Sequence, residues 1–71
     1  MNAQLLPATP AHDRILRIAA VAARVSLSRA TIHRRVASGE FPAPVSLGGN
    51  AVGWRESQIS EWLASRQAVR S

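Results

Sequence analysis

From about Arg14 onward, apolar stretches with a readable period alternate with short breaks of serine, glycine and proline. Ile15, Leu16 and Ile18 form a short apolar patch, read as an extended entry into a first helix. Ile18, Val21, Ala22 and Val25 then recur at i, i+3, i+4 and i+7, the spacing of one helical face. The segment is short and alanine-rich, which suits close packing against a second helix.

Ser26-Leu27-Ser28 is the connector to that second helix. The Ser28 hydroxyl can accept from backbone amides two or three residues on, the role of an N-cap. Leu27 just before the cap and Ile32 at the fourth helical position have the arrangement of a hydrophobic staple. Thr31 stands where a full capping box has Glu or Gln, so the box is incomplete. The helix runs from Arg29 to about Ser38. Gly39 ends it in a left-handed conformation, and Pro42 and Pro44 forbid its continuation. Two helices joined by three residues are a helix-turn-helix candidate. Ile32 and Val36 share the side that meets Val21, Val25 and Leu27. Ala30, Arg34 and Ala37 lie opposite, flanked by Thr31, His33 and Ser38. This outward face is small and basic, open to a groove but equally like a solvated helix surface.

Past the prolines the period changes to two. Val45 and Leu47 alternate with Ser46, and Val52 and Trp54 alternate with Gly53, the pattern of half-buried strands. Gly48-Gly49-Asn50 between them tolerate the positive φ of a tight turn. The pair is read as a β-hairpin, with Val45, Leu47 and Trp54 covering the core. A last helix begins near Arg55, with Glu56 in its first turn and Ile59, Trp62 and Leu63 as its apolar stripe. Both tryptophans are read as core volume rather than base-stacking platforms. Residues 1–13 carry two prolines and no sustained period, and are expected to be a mobile arm. Residues 14–71 are then one domain, mainly α with a small β-hairpin.

Charge adds a partner class to this outline. Nine arginines and no lysines face four acids, a net charge of +5, and the pI is near 11.9. Part of the arginine bias fits a GC-rich genome, but the excess over acids favours a polyanion. No apolar run reaches a membrane span and no signal peptide is visible, so a cytoplasmic, nucleoid-associated protein is expected. With no cysteine and only His12 and His33, neither disulfides nor a usual zinc site is expected, and no cofactor. Catalysis is not expected either. The chain has no paired acids in a plausible pocket and no clustered His and carboxylate. Gly48-Gly49 lies in a hairpin rather than between a strand and a helix.

Leu27–Arg34, Gly39–Val45, Leu47–Trp54, and the Glu-Ser-Gln-Ile and Glu-Trp-Leu runs after them resemble the AlpA-type phage regulators. That family is related to the excisionases and, more distantly, to the MerR-like winged helix. The resemblance spans about two-thirds of the chain in unbroken order. It implies a winged helix-turn-helix that binds double-stranded DNA as a phage or prophage regulator, or as a factor steering recombination. By matching position it implies groove-reading roles for Ser28, Arg29, Thr31, His33 and Arg34, and a wing contact through the Gly48–Asn50 tip. Two positions depart from the pattern: His33 stands where Tyr is common, and Asn50 where a basic residue is common.

Arg29 and Arg34 are the base-reading candidates, because an arginine can grip guanine O6 and N7 together. Arg35 flanks the core side of its helix and is expected to meet a phosphate. Arg14, Arg17 and Arg55 are either phosphate contacts or solvated, and Arg24 is expected to be solvated. Three roles use such a surface: promoter regulator, recombination directionality factor, or basic module meeting an acidic partner such as an integrase or polymerase subunit. With no dimerisation element visible, a monomer that associates on DNA is expected.

Overall fold

The computed structural model describes residues 13–69. The arm expected at residues 1–13 therefore lies outside the described residues except for Asp13. The elements run β1 (Ile15–Leu16), α1 (Ile18–Val25), α2 (Arg29–Ser38), β2 (Val45–Gly48), β3 (Ala51–Arg55) and α3 (Glu56–Ala64). Three helices thus pack with one antiparallel sheet of order β1-β3-β2, compatible with a small helix-turn-helix fold. None of the helices described is long and apolar enough to cross a membrane.

The sheet is larger than the expected hairpin. Ile15 pairs with Arg55 and Leu16 with Trp54, so the extended entry to α1 is a third strand. Two residues are too few to show a period, and only the partner strand makes them a strand. β2 and β3 pair Val45 with Gly53 and Ser46 with Val52, then slip so that Gly48 faces Ala51. The slip leaves Leu47 as the extra residue of a bulge. Leu47 consequently stays 41% exposed instead of covering the core. The positive φ angles of the turn fall on Gly48 (102°) and Gly49 (57°), not on Asn50.

The connector between α1 and α2 contains one strained residue. Ser26 ends α1 at φ 60°, ψ 39°, its amide donating to Ala22 O at 2.8 Å. For an L-residue that left-handed conformation costs roughly 1–2 kcal/mol. α2 ends as expected at Gly39, φ 85°.

Val21, Ile32, Phe41, Trp54 and Ile59 form the buried core. Leu16, Ile18, Ala22, Val25, Leu27, Val36, Trp62 and Leu63 pack around it, which places the expected faces of α1, α2 and α3 inward. Phe41 is the centre of the aromatic packing. Its ring meets Trp54 edge-on at 6.2 Å and Trp62 at 4.7 Å between centroids. The two indole N–H groups reach the same loop: Trp54 Nε1 donates to Pro42 O at 2.7 Å and Trp62 Nε1 to Glu40 O at 3.0 Å. Trp54 is fully buried, whereas Trp62 remains half-buried with the Arg66 guanidinium 4.5 Å from its ring centroid.

α3 is anchored at its start by residues distant in sequence. Gln58 Oε1 accepts from the Arg55 amide at 2.8 Å, one half of a capping box. An arginine side chain has no acceptor to supply the other half. Asp13 caps the neighbouring amide instead: its carboxylate accepts from Ser57 N at 2.8 Å and from Ser57 Oγ at 3.0 Å. Arg24 is also tied here rather than simply solvated. It pairs with Glu56 at 3.5 Å and donates to Ser60 Oγ at 3.2 Å, joining α1 to α3.

Candidate nucleic-acid interface

With Ile32 fully buried, α2 turns its opposite face outward. Arg34 lies on it with His33 and Thr31 on its flanks, and Ser28 and Arg29 lie at the start of the helix; all are exposed except Thr31, which is half-buried. Arg29 and His33, four residues apart, are neighbours on one side of the helix surface. Arg35 is half-buried on the flank, as expected of a residue beside the core-facing row. No acid lies anywhere in α2. The ion pair among the described residues joins Arg24 to Glu56, so none of the three α2 arginines is neutralised there.

The start of α2 is ordered by its own side chains. Ser28 Oγ accepts from Thr31 N at 3.0 Å, the expected N-cap. The incomplete capping box is closed in a different way: Ser28 Oγ donates to Thr31 Oγ1 at 2.9 Å. Arg34 Nη2 donates to the same Thr31 oxygen at 3.3 Å. Ser28, Thr31 and Arg34 therefore form one connected group, each three residues from the next and so neighbours along the surface of α2. That link was not read from the sequence, although the Ser-x-x-Thr-x-x-Arg spacing was its signal. Asn50 is exposed on the hairpin, a separate element from α2. The proposed reading face is thus gathered on one helix, with Asn50 apart from it.

An open groove of about 480 Å³ lies elsewhere, lined by Pro42, Gln58, Glu61, Trp62 and Ser65. Glu61 is the one carboxylate in that lining, and no nucleophile paired with a base accompanies it. Among the described residues no group of three or more His, Cys, Asp or Glu is placed to hold a metal ion.

A family model described as prophage CP4-57 regulatory protein (AlpA) matches residues 14–67, from the start of the sheet to just beyond α3. This chain belongs to the AlpA family. Among its relatives is the uncharacterized protein ORF88 of Enterobacteria phage P4, 44% identical over 59 residues, covering 83% of this chain and 67% of the relative. Another is the DNA-binding transcriptional activator AlpA of Escherichia coli strain K12. It is 39% identical over 59 residues, covering 75% of this chain and 84% of the relative. No solved structure matches the chain. The AlpA match takes in all six elements, including α2 and the hairpin.

Proposed function

We propose that this protein is a sequence-specific double-stranded DNA-binding regulator of the phage or prophage type, with α2 as its recognition helix. The observation that carries the reading is the exposed surface of α2: basic, free of acids, and made of side chains short enough to enter a major groove around Arg34, with Arg29 exposed at its first turn. The positive end of the helix dipole at Ser28 adds attraction for a phosphate. Arg34 and Arg29 are assigned to base edges, Arg35 to a phosphate, and Ser28, Thr31 and His33 to the surrounding groove contacts. The β2–β3 hairpin is the wing of a winged helix-turn-helix, its Asn50 tip a weaker backbone or minor-groove contact because it lacks charge. The relative described as a DNA-binding transcriptional activator supports regulation of transcription as the outcome.

Titration against labelled duplexes covering the DNA around the gene, with scrambled competitor and at several salt concentrations, tests this directly. A discrete complex that survives competitor is the expected result. Its position distinguishes a promoter regulator from a factor acting at attachment sites. Loss of all binding to competitor or moderate salt would overturn the reading and favour an acidic protein partner. Arg34→Ala is expected to weaken the specific complex about 5- to 160-fold, the range of a lost bidentate base contact, while non-specific binding falls much less. An equal fall in both would make Arg34 a phosphate contact.

A further inference from the structure

We infer that Thr31 is a positioning residue: its hydroxyl oxygen holds the Arg34 guanidinium in a preset direction on the outward face of α2. The inference rests on the DNA-binding reading above and adds the cause of its selectivity. An exposed arginine ordinarily samples many rotamers, and freezing one on binding costs about 0.5–1.5 kcal/mol, a factor of roughly 2 to 12 in affinity. A contact already made in the free protein removes part of that loss.

The hydrogen bonds around Thr31 hold its oxygen between Ser28 and Arg34, which is why it suits the task. The Thr31 amide donates to Ser28 Oγ at 3.0 Å, and that hydroxyl gives its own proton to Thr31 Oγ1 at 2.9 Å. Thr31 Oγ1 thus accepts from one side from Ser28 and from the other from Arg34 Nη2 at 3.3 Å. Both its lone pairs are engaged, and its remaining capability is to donate its proton outward. The β-branch restricts χ1, so this oxygen has few alternative positions. Arg34 loses little by the contact. Its guanidinium has two forked edges, Nη1–Nη2 and Nε–Nη2, and Nη2 carries one proton in each. Whichever proton Thr31 takes, the other fork stays whole for a two-point contact to a base.

Thr31→Val isolates this effect. Valine keeps the β-branch and the residue 31 amide that Ser28 caps, and deletes only the hydroxyl. The expected result is a loss of roughly 3- to 10-fold in the ratio of specific to non-specific affinity, with Thr31→Ser restoring most of it. In an Arg34→Ala background, Thr31→Val should cause a clearly smaller loss of that ratio, what remains being Thr31's own groove contact; an undiminished loss would overturn the inference. NMR of the free protein supplies a readout independent of DNA: the Arg34 side-chain signals should be more restricted in the wild type than in Thr31→Val. Equal mobility in the two, or equal losses in specific and non-specific binding, would overturn the inference. Failure of the wild type to discriminate between DNA sequences would instead remove the DNA-binding reading on which it stands.

Discussion

Ser26 and Gly53 show how single residues are constrained by backbone rather than by chemistry. Ser26 is exposed and holds a left-handed conformation that glycine adopts without steric cost. Ser26→Gly should raise the melting midpoint by a few degrees, because relief of strain outweighs the added freedom of the unfolded chain. An unchanged or lower midpoint would show that serine is not strained there. Gly53 is constrained by space. A Cβ at that position would lie 2.7 Å from Ile15 Cγ2 and 3.0 Å from the Leu16 carbonyl oxygen. The isoleucine side chain can turn aside but the strand backbone cannot, so Gly53→Ala is expected to destabilise by about 1–3 kcal/mol. Denaturant melts measure it, and a loss below a few tenths of a kcal/mol would contradict the tight β1–β3 contact.

Among the elements, α2 and α3 begin in opposite ways. α2 is capped locally, by Ser28 three residues before the amide it serves, and the sequence shows this plainly. α3 begins at an arginine with no side-chain acceptor, and its first amides are satisfied from across the fold, Glu56 N by the Arg14 carbonyl and Ser57 N by Asp13, 44 residues away. Asp13 looked like part of the arm because nothing near it in sequence reveals its partner. The same element-level logic applies to β1, which is legible only as an apolar patch until β3 is beside it. Asp13→Ala should cost about 1–2 kcal/mol through loss of the cap to Ser57, mainly by loosening the start of α3. Hydrogen exchange at the Ser57 and Gln58 amides should accelerate more than exchange in α2. Uniform acceleration across all three helices would mean that Asp13 stabilises the whole fold instead.

On the scale of the whole molecule, a small set of side chains holds the helices and the sheet together. The loop from Glu40 to Pro42 is the meeting point. Phe41 lies between the two tryptophans, and both indole N–H groups donate to carbonyls of its neighbours. A domain of this length is stabilised by only about 4–10 kcal/mol, while Phe→Ala in a core costs about 3–5 kcal/mol. Phe41→Ala should therefore lower the melting midpoint by more than about 10 °C. Tryptophan fluorescence and far-UV circular dichroism should report the same transition, because the ring joins sheet and α3 in one core. A small shift, or separate transitions for the two probes, would mean that the aromatic centre is not shared.

The sequence by itself determined the two helices of the helix-turn-helix, the serine cap and glycine stop of α2, the glycine turn of the hairpin, and the basic outward face. These are local matters: each depends on residues within one or two turns, so periodicity and capping chemistry expose them. It also carried the resemblance to AlpA-type regulators in the order of its motifs. Tertiary structure decided the third strand, the bulge that lifts Leu47 out of the core, the distant cap from Asp13, the Arg24 bridge and the central place of Phe41. Each of these depends on which segments meet across the fold. The grip of Thr31 on Arg34 lies between the two kinds. Its spacing was visible in the chain, but only the rotamers chosen in the folded helix bring the oxygen and the guanidinium within 3.3 Å.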